Sequence, residues 1–258
     1  MSTYTRSEFG ATVRNDFSNR QDKAVLTESR SLGHPAFENL PVGAKRTAPM
    51  VAVFLDLTNF TGRTFWEDQE QSADLAHAVL TGFIEVVSNF GGYPLGLRGD
   101  GLFAGFSPGD PAFTASMALS ACAFALDAVE SEVNPWLDLR GIAPVQARAG
   151  LDYGQITFVR TGNRESSEIN PIGFAANFAA KCEKYAKSWE IVAGQGLSGL
   201  FPDYRYFAEH ENSPKEYTRN YETRTYKFFD YRWRNTLPYL PGVIESLGGA
   251  STSQIYSR

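Results

Sequence analysis

The most regular hydrophobic pattern in the chain begins at Met50. An unbroken apolar run occupies residues 51–55 and ends at Asp56, and such a run is typical of a strand that is buried on both faces. From Glu70 to Phe90 the apolar residues recur at helical spacing, and Gly91-Gly92 ends the pattern. The sequence therefore predicts a buried strand followed by an amphipathic helix.

Strand and helix patterns continue to alternate along the chain. Two short strand-like runs flank the pair Asp100-Gly101, which is a strong hairpin signal. The further predicted elements are strands at Tyr93–Leu97 and Leu102–Phe106, a helix at Asp110–Val133, strands at Gln146–Leu151 and Gln155–Val159 joined by a turn at residues 152–154, a helix at Gly173–Ala186, and strands at Glu190–Ala193 and Tyr226–Trp233.

This order, β-α-β-β-α-β followed by further helix and strand, predicts an α+β fold. We expect a ferredoxin-like βαββαβ core, with its helices on one face of an antiparallel sheet, and a C-terminal αβ extension. Residues 1–47 are polar with few periodic apolar positions, so we expect an N-terminal arm that is partly ordered at best. The core is expected to occupy residues 48–238 and a Gly/Ser-rich tail residues 239–258.

Composition and charge narrow the functional classes. Of 258 residues, 43% are hydrophobic and 21% charged, as in soluble globular proteins. The formal net charge of −5 argues against bulk electrostatic binding of nucleic acid, so a phosphate-rich ligand needs metal ions or local positive charge. The longest uncharged run, Pro111–Leu126, is too short for a membrane span. With no apolar signal segment at the N-terminus, we expect a cytoplasmic protein.

Two aspartates carry the candidate chemistry. Asp56 ends the buried strand and Asp100 lies in the predicted hairpin, and each alone is typical of an ordinary turn residue. In a βαββ unit, however, the first strand and the following hairpin lie side by side, so the two carboxylates can converge. Converging carboxylates repel each other unless a cation lies between them, and their oxygens suit Mg²⁺ or Mn²⁺. An acidic protein can then hold a nucleoside triphosphate through metal.

Four collinear motifs resemble those of class III nucleotidyl cyclases. Residues 54–61 (FLDLTNFT) resemble the opening motif and residues 97–101 (LRGDG) the second metal motif, and the two aspartates are 44 positions apart, as in that family. Residues 148–154 (RAGLDYG) resemble the next strand and turn, and residues 170–181 (NPIGFAANFAAK) the segment with the transition-state residues. The resemblance implies that residues 48–238 form a cyclase catalytic domain.

The family's reaction is metal-dependent. The ribose 3′-oxygen of a nucleoside triphosphate attacks the α-phosphorus, pyrophosphate leaves, and a 3′,5′-cyclic monophosphate forms. The resemblance implies that Asp56, Asp100 and the Leu57 carbonyl hold two divalent cations, Mn²⁺ or Mg²⁺.

The remaining site residues also follow from the resemblance. The backbone N–H groups of Phe60, Thr61 and Gly62 are expected to contact the phosphates. Asn177 is expected to orient the ribose, and Lys181, one helical turn later, to stabilise charge on the α-phosphate. In this family each site forms between two catalytic domains, so a single domain implies a homodimer with two equivalent sites.

The chain departs from the family pattern in its cationic residues. The transition-state cation is usually Arg, and Lys181 offers a point charge without a bidentate fork. Gln155 stands where some relatives have a phosphate-binding Arg. Arg148, Lys215 or Arg219 can compensate, or each can be a solvated surface charge.

The base-binding positions match neither purine cyclase. Gly96 and Asn170 stand where adenylyl cyclases have Lys and Asp and guanylyl cyclases have Glu and Cys. The amide of Asn170 offers one donor and one acceptor, which match the edge of uracil or, flipped, that of cytosine. Arg98 either contacts the base or pairs at the surface.

The chain looks most similar to the stand-alone pyrimidine cyclases of bacterial Pycsar anti-phage systems, in which a separate effector responds to cUMP or cCMP. We therefore expect a pyrimidine cyclase, with UTP favoured over CTP as substrate, and neither a nucleic-acid partner nor a membrane span. Two alternatives stay open. One is an adenylyl or guanylyl cyclase with unusual base contacts, and the other is a cyclase-like module that binds a nucleotide and signals without turnover.

Overall fold

The computed structural model describes residues 4–19, 32–163, 165–202 and 204–246. Its first elements are α1 (Arg6–Asn19), β1 (Lys45–Thr58), α2 (Phe60–Trp66), α3 (Gln69–Asn89), β2 (Tyr93–Arg98), β3 (Gly101–Phe106), α4 (Pro111–Ala128) with a π-helical turn (Val129–Val133), and α5 (Asn134–Asp138). The later elements are β4 (Gln146–Gly162), β5 (Ser167–Ile172), α6 (Phe174–Tyr185), β6 (Ile191–Gly194), α7 (Gln195–Ser198), a 3₁₀ turn (Tyr204–Tyr206), β7 (Phe207–Glu209), β8 (Lys215–Arg219), β9 (Glu222–Tyr226), β10 (Phe228–Tyr231), a 3₁₀ helix (Trp233–Tyr239) and α8 (Leu240–Ser246).

One mixed sheet organises the fold. Its strand order is β2-β3-β1-β4-β6-β10-β7, with β5 paired to the C-terminal end of β4, and β8 and β9 form a separate hairpin. Every pairing in the sheet is antiparallel except that of β4 with β6. Because β1, α3, β2, β3, α4 and β4 follow the βαββαβ order and α6 and β6 extend it, the predicted α+β fold class is confirmed.

The central strand β1 is buried on both faces, as its apolar run predicts. Val51, Val53 and Leu55 belong to the hydrophobic cluster of α1, α3 and α4. Met50 and Ala52 belong to a cluster on the opposite face that includes residues of α6. The two core helices α3 and α4 therefore share one face of the sheet, while α6 of the C-terminal extension covers the other.

Helix α4 is buried along almost its whole length. The continuous helical segment Pro111–Asp138 is long and apolar enough to cross a membrane, yet 78% of its apolar window is buried inside the fold. No other helix among the described residues passes the same test. This burial is what the core helix of a globular domain shows.

The predicted strand pair at residues 146–151 and 155–159 is wrong, because both belong to the single long strand β4. The ladder with β1 runs through the supposed turn without a break, from Ala52↔Asp152 to Met50↔Gly154. Gly154 is needed for packing rather than for turning, since a Cβ there would lie 3.1 Å from the Cβ of Ala175 on α6. The chain reverses only after Gly162, whose φ of +131° suits glycine. Likewise, the segment predicted as one strand at residues 226–233 divides between β9 and β10.

The expectation of a partly ordered N-terminal arm at residues 1–47 is wrong for the part of it that the structure describes. Phe9 and Val13 of α1 are fully buried against the core helices. A Cβ on Gly82 of α3 would lie 2.6 Å from the Phe9 ring, so this glycine admits the aromatic side chain. Phe37 is also buried. The spacing of Phe9, Val13 and Phe17 is helical, but the many polar residues between them obscure it.

At the other end of the chain, the predicted tail at 239–258 begins as a helix. Leu240, the first residue of α8, is buried in the main core cluster. Residues 247–258 of the predicted tail lie outside the described residues, as do residues 1–3 and 20–31 of the predicted arm.

Asp152 is a fully buried carboxylate that joins β4 to α7 and β9. It accepts hydrogen bonds from the N–H groups of Tyr153 (2.9 Å) and Leu197 (3.2 Å) and from the hydroxyl of Tyr226 (3.0 Å). Gly194 makes room for it, because a Cβ there would lie 2.5 Å from the carboxylate. Burial outweighs these hydrogen bonds and raises the pKa of Asp152 to about 7.

We expect this carboxyl to make stability depend on pH. Between the pKa of an unfolded aspartate, about 4, and that of Asp152 in the folded chain, only the folded state holds the proton. Between pH 5 and 7, the free energy of unfolding of the wild type should therefore fall, relative to that of Asp152→Asn, by up to about 1.4 kcal/mol per pH unit. Above pH 7 the difference between the two proteins should stay constant. Urea unfolding at several pH values measures this difference, with the exposed Asp138→Asn as control. Parallel curves for the wild type and Asp152→Asn would show that Asp152 titrates normally.

Candidate active site

The two aspartates that the sequence pairs lie side by side at one end of the sheet. Asp56 is in register with Gly101 of β3, and the N–H of Leu57 donates to the carbonyl of Asp100 at 3.3 Å. A Cβ at position 101 would lie 2.9 Å from Asp56 Oδ1. The glycine therefore keeps open the space beside the two carboxylates.

Arg148 lies directly opposite Asp56 on β4 and holds its carboxylate. Its Nε and Nη2 donate to Asp56 Oδ2 at 3.1 and 2.9 Å, and its Nη1 donates to the carbonyl of Ala186 at 3.2 Å. Nη2 also lies 2.5 Å from Glu183 Oε1, at an angle outside hydrogen-bond geometry. Arg148 was expected either to replace a phosphate-binding arginine or to be a solvated surface charge. In the structure it instead contacts the carboxylates of Asp56 and Glu183.

The site is electrostatically negative. Partial burial and the neighbouring Asp56 raise the pKa of Asp100, although Arg148 opposes this. Burial and Asp56 also raise the pKa of Glu183 to about 7. Asp56 and Glu183 lie against the Arg148 guanidinium, and Asp100 lies within electrostatic reach of it. Three carboxyl groups thus share one guanidinium, which is an arrangement that favours binding of a further cation.

A cavity of about 680 Å³ opens beside these carboxylates and is lined by residues 56–62, Asp100, Arg148 and residues 184–188. Phe60, Thr61 and Gly62 begin α2, directly after Asn59 in the left-handed conformation (φ 57°). The first N–H groups of a helix have no acceptor inside the helix. The residues predicted to contact phosphates therefore lie at the same cavity as the two aspartates.

The predicted transition-state residues lie elsewhere, on α6. Asn177 is exposed and Lys181 is half-buried. Lys181 Nζ donates to the hydroxyl of Tyr217 on β8 at 3.0 Å. Neither residue is among those that line the Asp56 cavity. The candidate residues of this chain therefore form two separate groups.

The base-binding candidates lie on two strands. Gly96 and Arg98 belong to β2, and Asn170 belongs to β5. Arg98 Nη2 is 3.8 Å from Glu168 Oε1, and both side chains are more than half exposed. Arg98 thus makes the surface pair that was one of its two expected roles, and this contact places β2 close to β5.

The other two cations named for phosphate binding lie on the hairpin of β8 and β9. Lys215 is in register with Tyr226, and Arg219 with Glu222. Neither lines the Asp56 cavity of its own chain; Lys215 is half-buried and Arg219 is exposed.

A second group of polar side chains resembles a metal site by distance alone. One ligand atom each of Glu190, His210 and Asp230 lies within 4.8 Å of the others. However, His210 Nδ1 accepts the N–H of Asn212 at 3.0 Å, so the neutral ring carries its proton on Nε2. That Nε2 lies 3.8 Å from Asp230 Oδ1, and a metal could bind it only if its proton moved to Nδ1 and the hydrogen bond from Asn212 broke. His210 is therefore a packing residue with an acidic neighbour.

No model of a known protein family matches the chain. A cytidylate cyclase from Escherichia coli is 22% identical over 219 residues, which cover 80% of this chain and 47% of that protein. The chain therefore spans about half the length of this curated relative.

Solved structures share the fold over most of the chain. The guanylyl cyclase Cya2 is 19% identical, with a TM-score of 0.61 over 74% of this chain and 94% of that one. The adenylyl cyclase CyaB from P. aeruginosa is 19% identical, with a TM-score of 0.62 over 73% and 95%. A class III adenylyl cyclase-like ATP-binding protein from Pseudomonas aeruginosa is 18% identical, with a TM-score of 0.59 over 72% and 42%. This chain has the class III nucleotidyl cyclase fold.

Within the class III cyclase fold, sequence reasoning missed two contacts. Glu183 reaches Arg148 because Gly150, two residues after Arg148 on β4, lets the backbone of α6 lie against the strand. A Cβ at position 150 would lie 2.0 Å from the backbone N of Glu183. Tyr217 reaches Lys181 from a hairpin 36 residues away in the chain. The glycine two residues after Arg148 is the sequence signal for the contact between Arg148 and Glu183. No local pattern indicates the contact between Lys181 and Tyr217.

We expect Arg148→Ala to destabilise the fold by about 3 kcal/mol or more, because removal of one partner leaves two partly buried carboxyl groups without a counter-charge. Urea unfolding in EDTA measures this loss without a metal ion as substitute. Arg98→Ala is the matched control, since its exposed pair is worth less than about 1 kcal/mol. Equal stability of the two variants would show that Arg148 does not balance the buried carboxylates.

Proposed function

We propose that this chain is a metal-dependent cyclase that converts a pyrimidine nucleoside triphosphate to its 3′,5′-cyclic monophosphate and pyrophosphate. The observation that carries the proposal is the convergence of Asp56 and Asp100 beside a cavity that also contains the N-terminus of α2. The similarity to a protein named cytidylate cyclase supports the pyrimidine substrate.

The donor set fits a divalent cation. Asp56 and Asp100 offer carboxylate oxygens, and partial burial together with repulsion by Asp56 raises the pKa of Asp100. Hard oxygen ligands of this kind suit Mg²⁺ and Mn²⁺. Asp56 Oδ1, Asp100 and the Leu57 carbonyl would hold the two ions. When bound, they would neutralise the triphosphate and lower the pKa of the attacking 3′-hydroxyl.

The protein's own groups bind and orient the substrate in this proposal. The N–H groups of Phe60, Thr61 and Gly62 donate to the phosphates. Asn177 holds the ribose so that its 3′-oxygen is in line with the leaving pyrophosphate. The Lys181 ammonium lies at the α-phosphate, where negative charge develops as the 3′-oxygen attacks. The phosphorus–oxygen bond to pyrophosphate breaks as the new ester bond forms.

The separation of the two residue groups supports a homodimer. Asn177 and Lys181 do not line the cavity of their own chain. A second copy related by a two-fold axis can supply them to the Asp56 and Asp100 of the first, which makes two equivalent sites. The cyclic nucleotide would then be read by a separate effector, as in anti-phage signalling.

The base is recognised near β2 and β5 in this proposal. The amide of Asn170 matches either pyrimidine. The residue pattern alone favoured UTP, and the name of the curated relative favours CTP, so both nucleotides belong in the assay. The open position at Gly96, where a Cβ would meet only the Arg98 side chain at 3.5 Å, leaves room for Arg98 to turn towards the base.

One observation favours a second candidate function, nucleotide binding without turnover. Arg148 occupies Oδ2 of Asp56 with two hydrogen bonds, which leaves fewer oxygens for metal. A solved relative of this fold is itself described as an ATP-binding protein.

We expect the purified protein to form a cyclic monophosphate and pyrophosphate from UTP or CTP with Mn²⁺, and none in EDTA. Asp56→Asn and Asp100→Asn should each lower kcat at least about a hundredfold, because each removes a ligand of the ions that stabilise the transition state. Chromatography of the products from each of the four nucleotides measures both effects.

Asp138→Asn, at an exposed side chain that does not line the cavity, is the matched control and should keep full activity. Turnover of ATP or GTP alone would replace the pyrimidine assignment with a purine cyclase. Nucleotide binding without product, unchanged in Asp56→Asn, would establish the non-catalytic alternative.

A further inference from the structure

We propose that Tyr217 is a positioning residue that holds the Lys181 ammonium in place for the α-phosphate, and that the β8–β9 hairpin exists in part to carry it. This inference rests on the proposed function, because it gives Lys181 its task. It adds a residue that lies outside all four sequence motifs.

The contact itself is well defined. Lys181 Nζ donates to Tyr217 Oη at 3.0 Å and lies 4.8 Å from the centre of the Tyr217 ring. Both side chains are half-buried. A charged donor on a neutral acceptor makes a stronger hydrogen bond than two neutral groups do, and partial burial reduces competition from water.

A lysine at this position needs such a partner. An arginine has a rigid planar fork that can bind a phosphate through two N–H groups at once, whereas a lysine is a point charge on a flexible four-carbon chain. Fixing that chain costs conformational entropy each time a substrate binds. The hydroxyl of Tyr217 fixes it in advance, and two ammonium protons remain for the phosphate.

The hairpin that carries Tyr217 is anchored to α6 by aromatic packing. The Tyr217 ring meets Phe174 edge to face at 5.8 Å between centroids. Tyr226, on the other strand of the hairpin, packs against Phe174 and Phe178 at 4.8 and 4.6 Å. Tyr226 also binds Asp152. The same contacts that attach the hairpin therefore fix Tyr217 relative to Lys181.

The hairpin tip differs from its base. Asn220 and Tyr221 form the tip with positive φ values of 49° and 65°, and the Tyr221 side chain is fully exposed. Tyr221 belongs to the same hairpin but makes none of the anchoring ring contacts described above. It therefore offers a matched control for removal of a phenolic hydroxyl.

The first arm of the test needs no enzyme activity. The protein is treated briefly with acetic anhydride, and acetylation of individual lysines is measured by mass spectrometry. We expect Tyr217→Phe to speed acetylation of Lys181 by about tenfold, the factor that corresponds to loss of one charge-assisted hydrogen bond. The exposed Lys184, on the same helix, should react at an unchanged rate, and Tyr221→Phe should change neither.

The second arm uses turnover by the whole 258-residue chain. Tyr217→Phe should lower kcat by about tenfold and change KM by less than about twofold, because the ammonium is needed more in the transition state than in the bound substrate. In a Lys181→Arg background the same change should cost less than about twofold, since a guanidinium does not depend on the phenol. A merely structural tyrosine would cost the same in both backgrounds.

The outcomes separate this inference from the proposed function. Unchanged Lys181 acetylation in Tyr217→Phe overturns the inference, as does equal loss of kcat with Lys or Arg at position 181. If the wild type turns over no nucleotide, the proposed function fails, and the acetylation arm alone then decides whether Tyr217 holds Lys181.

Discussion

The pairing of Asp56 with Arg148 across β1 and β4 is the interaction on which the site depends. A carboxylate at the end of a buried strand is costly without a partner, and the guanidinium supplies two N–H donors to one of its oxygens. The same guanidinium lies against Glu183 of α6 and donates to the carbonyl of Ala186. One side chain thus joins the central strands to the helix that bears Lys181.

The excess of carboxylates over cations at this point is what would allow an acidic protein to hold the proposed phosphate-rich substrate through metal ions. Burial and mutual repulsion raise the pKa of Asp100 and Glu183, so the free site is under electrostatic strain that a divalent cation relieves. In the proposed function, the negative charge that argues against nucleic-acid binding is, at this one place, what would favour a divalent cation.

Local sequence patterns predicted most helices and strands and the pair of aspartates. Features that depend on contacts between residues far apart in the chain could not be predicted in this way. The apolar run before Asp56 and the Asp100-Gly101 turn are local signals, and pairing of β1 with β3 brings them together. Asp and Gly are typical of turns, yet Asp152 and Gly154 lie inside β4. The Asp152 carboxylate accepts hydrogen bonds from Leu197 and Tyr226, and the missing side chain of Gly154 makes room for Ala175. Glu183 lies 35 residues from Arg148 and Tyr217 lies 36 residues from Lys181, beyond the range of any local periodicity.

In the proposed homodimer, each protomer carries one half of each of the two sites. Mixing two inactive variants, Asp56→Asn and Lys181→Ala, tests it most directly, because a two-fold heterodimer then has one intact site and one doubly damaged site. With free exchange of subunits, cyclic nucleotide formation should return to about one quarter of the wild-type rate. If the mixture stays as inactive as its components while subunit exchange is demonstrated, both groups act within one chain and the two protomers do not share a site.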